Sequence, residues 1–200
     1  MHPNSRFWLE DRAVLEALIE EVGFGMIFAP TPDGPRVAHT PLVSTGDGAV
    51  QFHLSNGNAV TRHLEGATAL AVVNGPDAYI SPRWYAADGE VPTWNYVAVE
   101  LEGRVRRMAQ EGLEALLQRI GERHEARIVE GEPWRPEEVA PDYWSKLLRG
   151  ITGFELEIAA WRPTVKLSQN KDAAERERVA AGLEANGSPA VAALIREFGE

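Results

Sequence analysis

The segment from Trp94 to Met108 constrains the fold more than any other part of the sequence. Apolar Val97, Val99 and Leu101 occupy every second position, and Glu100 stands among the residues between them. A period of two over a segment of this length predicts one long β-strand with a buried face. The fold is therefore expected to be organised around a β-sheet.

Three shorter strand-like segments precede this one: Gly25–Ala29, Arg36–Val43 and Ala49–Leu54. Tight turns are expected between them at Pro32-Asp33-Gly34 and Gly46-Asp47-Gly48, because Gly, Pro and Asp favour turns. Two such turns among three strands predict an antiparallel meander.

The remaining segments add helices and further strands around this meander. The order of elements predicts a mainly β fold with peripheral helices (α+β), in the form of a small antiparallel barrel. Residues 1–170 are expected to form the barrel domain, with residues 171–200 as a C-terminal helical extension of the same domain. The other predicted elements are helices over Asp11–Val22, Asn56–Leu64 and Glu111–His124, strands over Ala67–Val73 and Phe154–Trp161, an irregular segment over Asn74–Thr93, and two short helices after Lys171.

The charge and composition of the chain exclude several classes of site and partner. With 20 Lys and Arg against 30 Asp and Glu, the formal charge of −10 repels nucleic-acid phosphates, so DNA binding would need a local basic patch. Cysteine is absent, which excludes disulfides and thiolate metal sites, and the scattered histidines predict no metal. No signal-peptide pattern occurs and no apolar run approaches the ~20 residues that cross a bilayer. A cytoplasmic location without membrane contact is therefore expected.

A series of short strings runs through the chain in a fixed order. The strings are HTPL at 39–42, AYISP at 78–82 followed by Trp84-Tyr85, VPTWNY at 91–96, RHE at 123–125, LLRGITGF at 147–154 and KLSQNK at 166–171. Together they resemble the PaiB-like family of FMN-binding negative transcriptional regulators, over about Phe7 to Gly182. The resemblance implies an FMN-binding split β-barrel, similar to pyridoxamine-phosphate-oxidase-type flavoproteins, in which a homodimer holds FMN in clefts between its subunits.

The resemblance also implies which residues bind the flavin. The ring would lie along one strand, the next strand end and the start of the following helix would approach the phosphate, and a late basic residue would add charge. Flavoproteins of this fold usually place a basic pair on that helix, but this chain has no cation there before Arg62. The predicted cofactor-binding residues are Ala38, His39, Thr40, Pro41, His53, Ser55, Asn58, Trp94, Asn95, Lys166 and Gln169.

Several of these residues have a structural alternative that the sequence leaves open. His39 could be an ordinary strand residue whose hydrogen bonds are satisfied, and Trp94 could pack in the core. Asn58 is expected to cap the helix whether or not it also approaches phosphate. Lys166 and Gln169 could lie in a turn exposed to water.

Three functions remain open at this point. The family implies a flavin-binding negative transcriptional regulator, and the alternatives are an FMN-dependent oxidoreductase acting on a small substrate or a flavin- or haem-binding module without turnover. No Rossmann, P-loop or hydrolase motif is present, and no helix-turn-helix is recognisable. The sequence does not identify a target gene, a substrate or a catalytic residue, so enzymatic activity is neither predicted nor excluded.

Overall fold

The computed structural model describes residues 3–86 and 89–198, which form seven strands and five α-helices. Four 3-10 turns occur at Ser5–Phe7, Thr61–His63, Pro82–Trp84 and Pro136–Glu138. In the described residues, no helix combines the length and the apolar character needed to span a membrane. In chain order the elements are α1 (Arg12–Val22), β1 (Phe24–Thr31), β2 (Gly34–Pro41), β3 (Val43–Ser44), β4 (Ala49–Ser55), β5 (Thr68–Ile80), β6 (Thr93–Arg107), α2 (Gln110–Glu125), α3 (Pro141–Leu148), β7 (Ile151–Lys166), α4 (Ala173–Ala185) and α5 (Pro189–Glu197).

The strands form one antiparallel sheet in the order β2-β1-β5-β6-β7-β4-β3. The sheet is open, with β2 at one edge and β3 at the other. These two edge strands are consecutive in the chain and are joined at Leu42, whose side chain is fully buried and whose backbone N donates to the Gly23 carbonyl at 3.0 Å. The predicted antiparallel split-barrel fold is confirmed in the form of an open sheet, whose seven described strands do not close into a barrel.

The chain divides into two compact units, each assembled from separate segments. The first unit contains Met1–Leu15, Asn74–Glu100 and Arg162–Glu200, and the second contains Glu16–Val73 and Leu101–Trp161. Strands β5, β6 and β7 contribute residues to both units. The predicted division of the chain at residue 170 stays a prediction.

The core of the second unit depends on close approach between strands. Phe52 and Phe154 are opposite each other in the β4–β7 register and stack with ring centroids 5.6 Å apart. At Gly103 a Cβ would lie 2.0 Å from the carbonyl oxygen of Glu157, so only glycine allows the backbones to approach this closely. The glycine is therefore required by the packing of β6 against β7.

The core of the first unit is formed largely by α4 and α5. Both helices bury an apolar face, which includes Val179, Leu183 and Ile195. On α4, a Cβ at Gly182 would lie 2.5 Å from the indole of Trp84, so this helix also needs a glycine for close packing.

The predicted meander of three strands is wrong, because β2 pairs with β1 and lies at the opposite edge of the sheet from β3 and β4. The predicted Phe154–Trp161 strand is shorter than β7, and two further predicted elements are also wrong in extent. The predicted Asn56–Leu64 helix is reduced to a single 3-10 turn at Thr61–His63, because side-chain and backbone acceptors at Ser55 and Asn58 organise the preceding residues into turns. The predicted irregular segment after Asn74 instead continues β5 as far as Ile80, where Ala78 and Ile80 are buried and alternate with exposed neighbours.

The long strand and the α1 cap agree with their predictions. In β6 the residues Val97, Val99 and Leu101 are buried, as their alternation indicated. The Asp11 side chain accepts from the backbone N atoms of Ala13 and Val14, at 2.9 and 3.3 Å, and so caps α1.

Candidate functional site

The eleven predicted cofactor residues fall into two groups, one in each compact unit. The group in the second unit, here called the strand group, lies on β2, on β4 and in the turn after β4. The group in the first unit, here called the turn group, lies at the start of β6 and around the end of β7. The strand group is Ala38, His39, Thr40, Pro41, His53, Ser55 and Asn58, and the turn group is Trp94, Asn95, Lys166 and Gln169.

Strand alternation separates the β2 members of the strand group. Ala38 and Thr40 are buried, whereas His39 between them is exposed. The Thr40 hydroxyl donates to the backbone carbonyl of His53 at 2.7 Å and so joins β2 to β4. Thr40 therefore has a structural role, and His39 is the predicted cofactor residue of β2 whose side chain is exposed.

His53 has an unused polar atom inside the protein. Its Nδ1 is buried and has no hydrogen-bond partner among residues 3–86 and 89–198. Burial lowers the pKa of His53, because charging an imidazole away from water is unfavourable. The residue therefore favours the neutral imidazole, which can donate one hydrogen bond and accept another.

The turn after β4 holds Ser55 and Asn58 through local hydrogen bonds. The Ser55 hydroxyl accepts from the backbone N of Gly57 at 3.3 Å, and the Ser55 carbonyl accepts from the Thr61 hydroxyl at 2.7 Å. Asn58 Oδ1 accepts from the backbone N of Val60 at 2.9 Å. The predicted capping role of Asn58 is thus observed in a turn rather than at the start of a helix.

In the turn group, Gln169 braces a strained turn. Ser168 is buried and has a φ of 62°, a left-handed conformation that is unfavourable for a residue with a Cβ. Gln169 Oε1 accepts from the backbone N of Leu167 at 2.7 Å, and its Nε2 donates to the carbonyl of Val165 at 2.6 Å. Both ends of the Gln169 amide are therefore occupied within the fold.

Asn95 and Trp94 lie on opposite faces of β6. Asn95 is 1% exposed, and its Nδ2 donates to the Ser168 hydroxyl at 2.8 Å. Its Oδ1 has no partner in the described part of the chain. Trp94 is 54% exposed and packs edge-on against Tyr79 with ring centroids 6.2 Å apart. Trp94 also lines a cavity of about 290 Å³ together with Asn74, Gly75, Asp77, Tyr96 and Val97.

Lys166 is the cation of the turn group. Its Nζ donates to the Thr93 hydroxyl at 2.6 Å and lies 6.0 Å from the centroid of the Phe7 ring. Burial lowers the pKa of Lys166. In the part of the chain that the structure describes, no carboxylate pairs with Lys166, whereas Lys171 in the same turn forms an ion pair with Glu90. Lys166 therefore has capacity for an anionic ligand that Lys171 lacks.

The residues present fit a flavin. Among residues 3–86 and 89–198, buried side-chain polar atoms without a partner occur at His53, Asn95 and Arg123. Two of these three are predicted cofactor residues, and buried polar groups normally have partners. A flavin carries carbonyls, ring nitrogens and an N–H that can pair with such atoms, and its phosphate suits Lys166.

Some partners in the site were not predicted from the sequence. Thr93 and Ser168 are both neighbours of predicted residues, and each contributes a hydroxyl to Lys166 or Asn95. The alternation of β6 could have placed Thr93 on the same face as Asn95, two residues further on. No sequence signal indicates the positive φ of Ser168.

Comparison with known proteins gives these residues a family context. The family model described as "Putative FMN-binding domain" matches residues 1–160. The chain is 28% identical to the Protease synthase and sporulation protein PAI 2 of Bacillus subtilis, over 86% of this chain and 83% of that protein. It is 29% identical to the uncharacterized protein AN0679 of Emericella nidulans, over 83% and 80% of the two chains.

Solved structures with a similar fold include two at low sequence identity. The FAD and heme binding protein from Mycobacterium smegmatis is 19% identical, with a TM-score of 0.60 over 87% of this chain and 79% of that one. The flavocytochrome Anf3 from Azotobacter vinelandii is 16% identical, with a TM-score of 0.58 over 82% and 75%. The family match covers most of the sequence and agrees with the fold: the chain belongs to this FMN-binding domain family, and its cofactor is a flavin.

Proposed function

We propose that this protein is an FMN-binding negative transcriptional regulator of the PaiB-like type and that it acts as a homodimer. The observation that carries the flavin-binding part is the pair of buried, unpartnered polar atoms at His53 and Asn95, both in predicted cofactor residues. The regulatory part is supported by the similarity to the Bacillus protein over 86% of this chain. The name of that relative associates it with protease synthesis and sporulation.

The family resemblance assigns flavin-binding roles to residues of both groups, and each group is considered by itself. In the turn group, Lys166 would bind the phosphate, and Asn95 Oδ1 would accept a hydrogen bond from the flavin. In the strand group, His53 would contribute its Nδ1 and His39 its exposed imidazole. A bound flavin supplies redox chemistry, and the protein residues bind and orient it. The other predicted contacts stay predictions.

An exposed apolar surface supports the proposed homodimer. On the β1–β2 hairpin, Phe28 and Val37 are directly opposite each other, and both are exposed. Phe24 lies four residues before Phe28 on the same face of β1 and is 51% exposed. Apolar side chains that cluster on a sheet surface are typical of a face covered by a partner.

Light scattering tests the homodimer. A dimer should give about twice the chain mass of 22.0 kDa at micromolar concentration. Replacing both Phe28 and Val37 by Ser should shift the equilibrium toward the single-chain mass, whereas Arg36→Ser on the same hairpin should not. A wild-type protein with the single-chain mass would contradict the proposed dimer.

Flavin titration tests the role of Lys166. A charge-assisted bond to phosphate contributes roughly 1.5–3 kcal/mol, so Lys166→Ala should weaken FMN binding about ten- to a hundredfold. Lys171→Ala is the matched control, since Lys171 already pairs with Glu90. Riboflavin, which lacks the phosphate, should bind more weakly and should be insensitive to Lys166→Ala.

Two outcomes of this titration would contradict the proposal. Equal losses of FMN and riboflavin affinity in Lys166→Ala would contradict a contact between Lys166 and the phosphate. A wild-type protein that neither copurifies with flavin nor quenches the fluorescence of added FMN would contradict flavin binding itself.

Transcript profiling tests the regulatory part. Deleting the gene should raise the level of specific transcripts, and restoring the wild-type gene should lower them again. Because the chain carries a formal charge of −10, direct binding to promoter DNA should be weak and should fall steeply with salt in a gel-shift assay. An unchanged transcript profile would contradict the regulatory role and leave flavin binding unaffected.

A further inference from the structure

A second cavity, unrelated to the flavin residues, lies beside α2 in the second unit. Its volume is about 840 Å³, and it is lined by one face of α2, the Pro133–Glu137 segment and Trp144 of α3. Binding sites for small molecules typically have volumes of about 300–1,000 Å³. The cavity is therefore large enough for a small organic ligand.

Two tryptophans form the aromatic part of this cavity. The rings of Trp134 and Trp144 are 6.3 Å apart between centroids and are tilted by 49°. Trp134 is 40% exposed, and its backbone N donates to Glu125 Oε2 at 3.0 Å, which ties it to α2. Indole faces are the best aromatic partners for cations, because their π-systems place negative charge on the face of the ring.

The charge around the cavity has one predominant sign. Among the described residues that line it, Arg135 is the only basic one, against five carboxylates. In the described part of the chain, no basic side chain forms an ion pair with any of the five. Glu114 and Glu122 accept hydrogen bonds from the side-chain amides of Gln110 and Gln118, at 2.8 Å in each case. The five carboxylates are Glu111, Glu114, Glu122, Glu125 and Glu137.

The spacing of these carboxylates disfavours the helix that carries them. Glu111 and Glu114 are three residues apart on α2, and so are Glu122 and Glu125. Like charges at this spacing repel each other and destabilise a helix. A bound cation would remove that repulsion and gain from the indole faces at the same time.

We propose that this cavity binds a small organic cation with an alkylammonium group and an apolar stem. The ammonium group would lie over the indoles of Trp134 and Trp144, within the field of the carboxylates. The stem would pack against Leu117 and Ala115, which also line the cavity. The site does not depend on the flavin or on the proposed regulatory function.

Calorimetric titration with three matched ligands tests the chemistry of the site. The probes are 1,6-diaminohexane, its neutral analogue hexane-1,6-diol and the dianion hexanedioate. The diamine should bind with an affinity that falls as salt rises, and the diol should bind at least about tenfold more weakly. Equal binding of diamine and diol, or binding of hexanedioate, would overturn the proposal.

Matched variants locate the binding to this cavity. Trp134→Ala should weaken diamine binding about tenfold, and Trp134→Phe should retain part of the affinity, since phenylalanine is a weaker cation–π partner. The double variant Glu111→Gln and Glu122→Gln should also lose about tenfold. The control is Glu130→Gln with Glu132→Gln, which removes the same charge from exposed residues of the neighbouring loop that do not line the cavity.

The remaining outcomes decide between this site and its alternatives. If the two double variants lost diamine affinity equally, the binding would depend on the overall negative charge of the protein rather than on the carboxylates of the cavity. That result would overturn the site. Unchanged diamine binding in Trp134→Ala, with folding confirmed by circular dichroism, would do the same. A lysine-containing peptide that binds at least tenfold more tightly than the diamine would assign the cavity to a protein partner and overturn the small-molecule ligand.

Discussion

The turn group and the strand group differ in how much of their polar capacity the fold itself uses. In the turn group, Gln169 has a backbone partner at each end of its amide, and Asn95 has one partner and, among the described residues, one atom without a partner. In the strand group, His39 is exposed and His53 has a buried Nδ1 without a partner. The residues that match the family pattern thus include some whose polar atoms bond within the fold and some whose polar atoms are available to a flavin. Their hydrogen-bond partners distinguish the two kinds.

The largest expected effect is the loss of the Gln169 brace. Gln169→Ala should lower the free energy of unfolding by about 2–3 kcal/mol, because the N–H of Leu167 and the carbonyl of Val165 both lose a partner. Urea unfolding measures this change, with Asn170→Ala at an exposed neighbour as the control. A loss below about 0.5 kcal/mol, the range of ordinary surface substitutions, would contradict the brace.

The bond between Asn95 and Ser168 should be measurable as a coupling. A double-mutant cycle with Asn95→Ala and Ser168→Ala should give an interaction energy of about 1 kcal/mol in urea unfolding. Ser168→Gly should be more stable than Ser168→Ala by about 1 kcal/mol, because glycine adopts the positive φ without strain. Additive single variants would show that the two side chains are not coupled.

A smaller effect is expected in the turn of the strand group. Asn58→Ala removes the bond from the backbone N of Val60 and should destabilise the protein by about 0.5–1 kcal/mol. Asn58→Asp keeps an acceptor at the same place and should recover most of this loss. If Asn58→Ala were as costly as Gln169→Ala, the contrast between the two groups would be wrong.

The smallest expected effect is a pH dependence that originates from His53. Its pKa is lowered from 6.5 by burial, so the unfolded chain binds more protons than the folded protein below about pH 6.5. Stability should therefore decrease as the pH falls from 6.5 toward the lowered pKa of the folded state. His53→Gln should reduce the dependence of the unfolding free energy on pH below 6.5, measured by urea unfolding at a series of pH values. His39→Gln, at an exposed site, should retain that dependence. If His53→Gln left the pH dependence of stability below 6.5 unchanged, groups other than His53 would be responsible for it.

Local patterns predicted most of the secondary structure and failed at two segments. The alternation in β6 predicted its buried face, since period-two patterns reflect the geometry of a single strand. The Asn56–Leu64 helix was wrong because Ser55 and Asn58 accept local hydrogen bonds that form turns, and the helical part is a 3-10 turn at Thr61–His63. The prediction for Asn74–Thr93 overweighted Pro76, which the structure accommodates within β5.

The family strings predicted the candidate site as a set of residues but not as an arrangement. The hydroxyl of Thr93 at Lys166 and that of Ser168 at Asn95 both join positions that are 73 residues apart in sequence. Such contacts depend on how the strands are brought together, which no local pattern records. The same limit applies to the Trp134–Trp144 cavity, because its walls come from separate segments of the chain.

The sequence by itself determined the antiparallel split barrel, the principal strands and helices, and the flavin family. These properties follow from local periodicity, turn residues and ordered strings, all of which are present in the unfolded chain. Only the tertiary structure decided that Gln169 bonds to the backbone of its own turn. It also decided that, within the described residues, His53 and Asn95 keep unpartnered atoms and Lys166 has no carboxylate partner. The physical reason is that a polar group's availability depends on which distant groups surround it after folding.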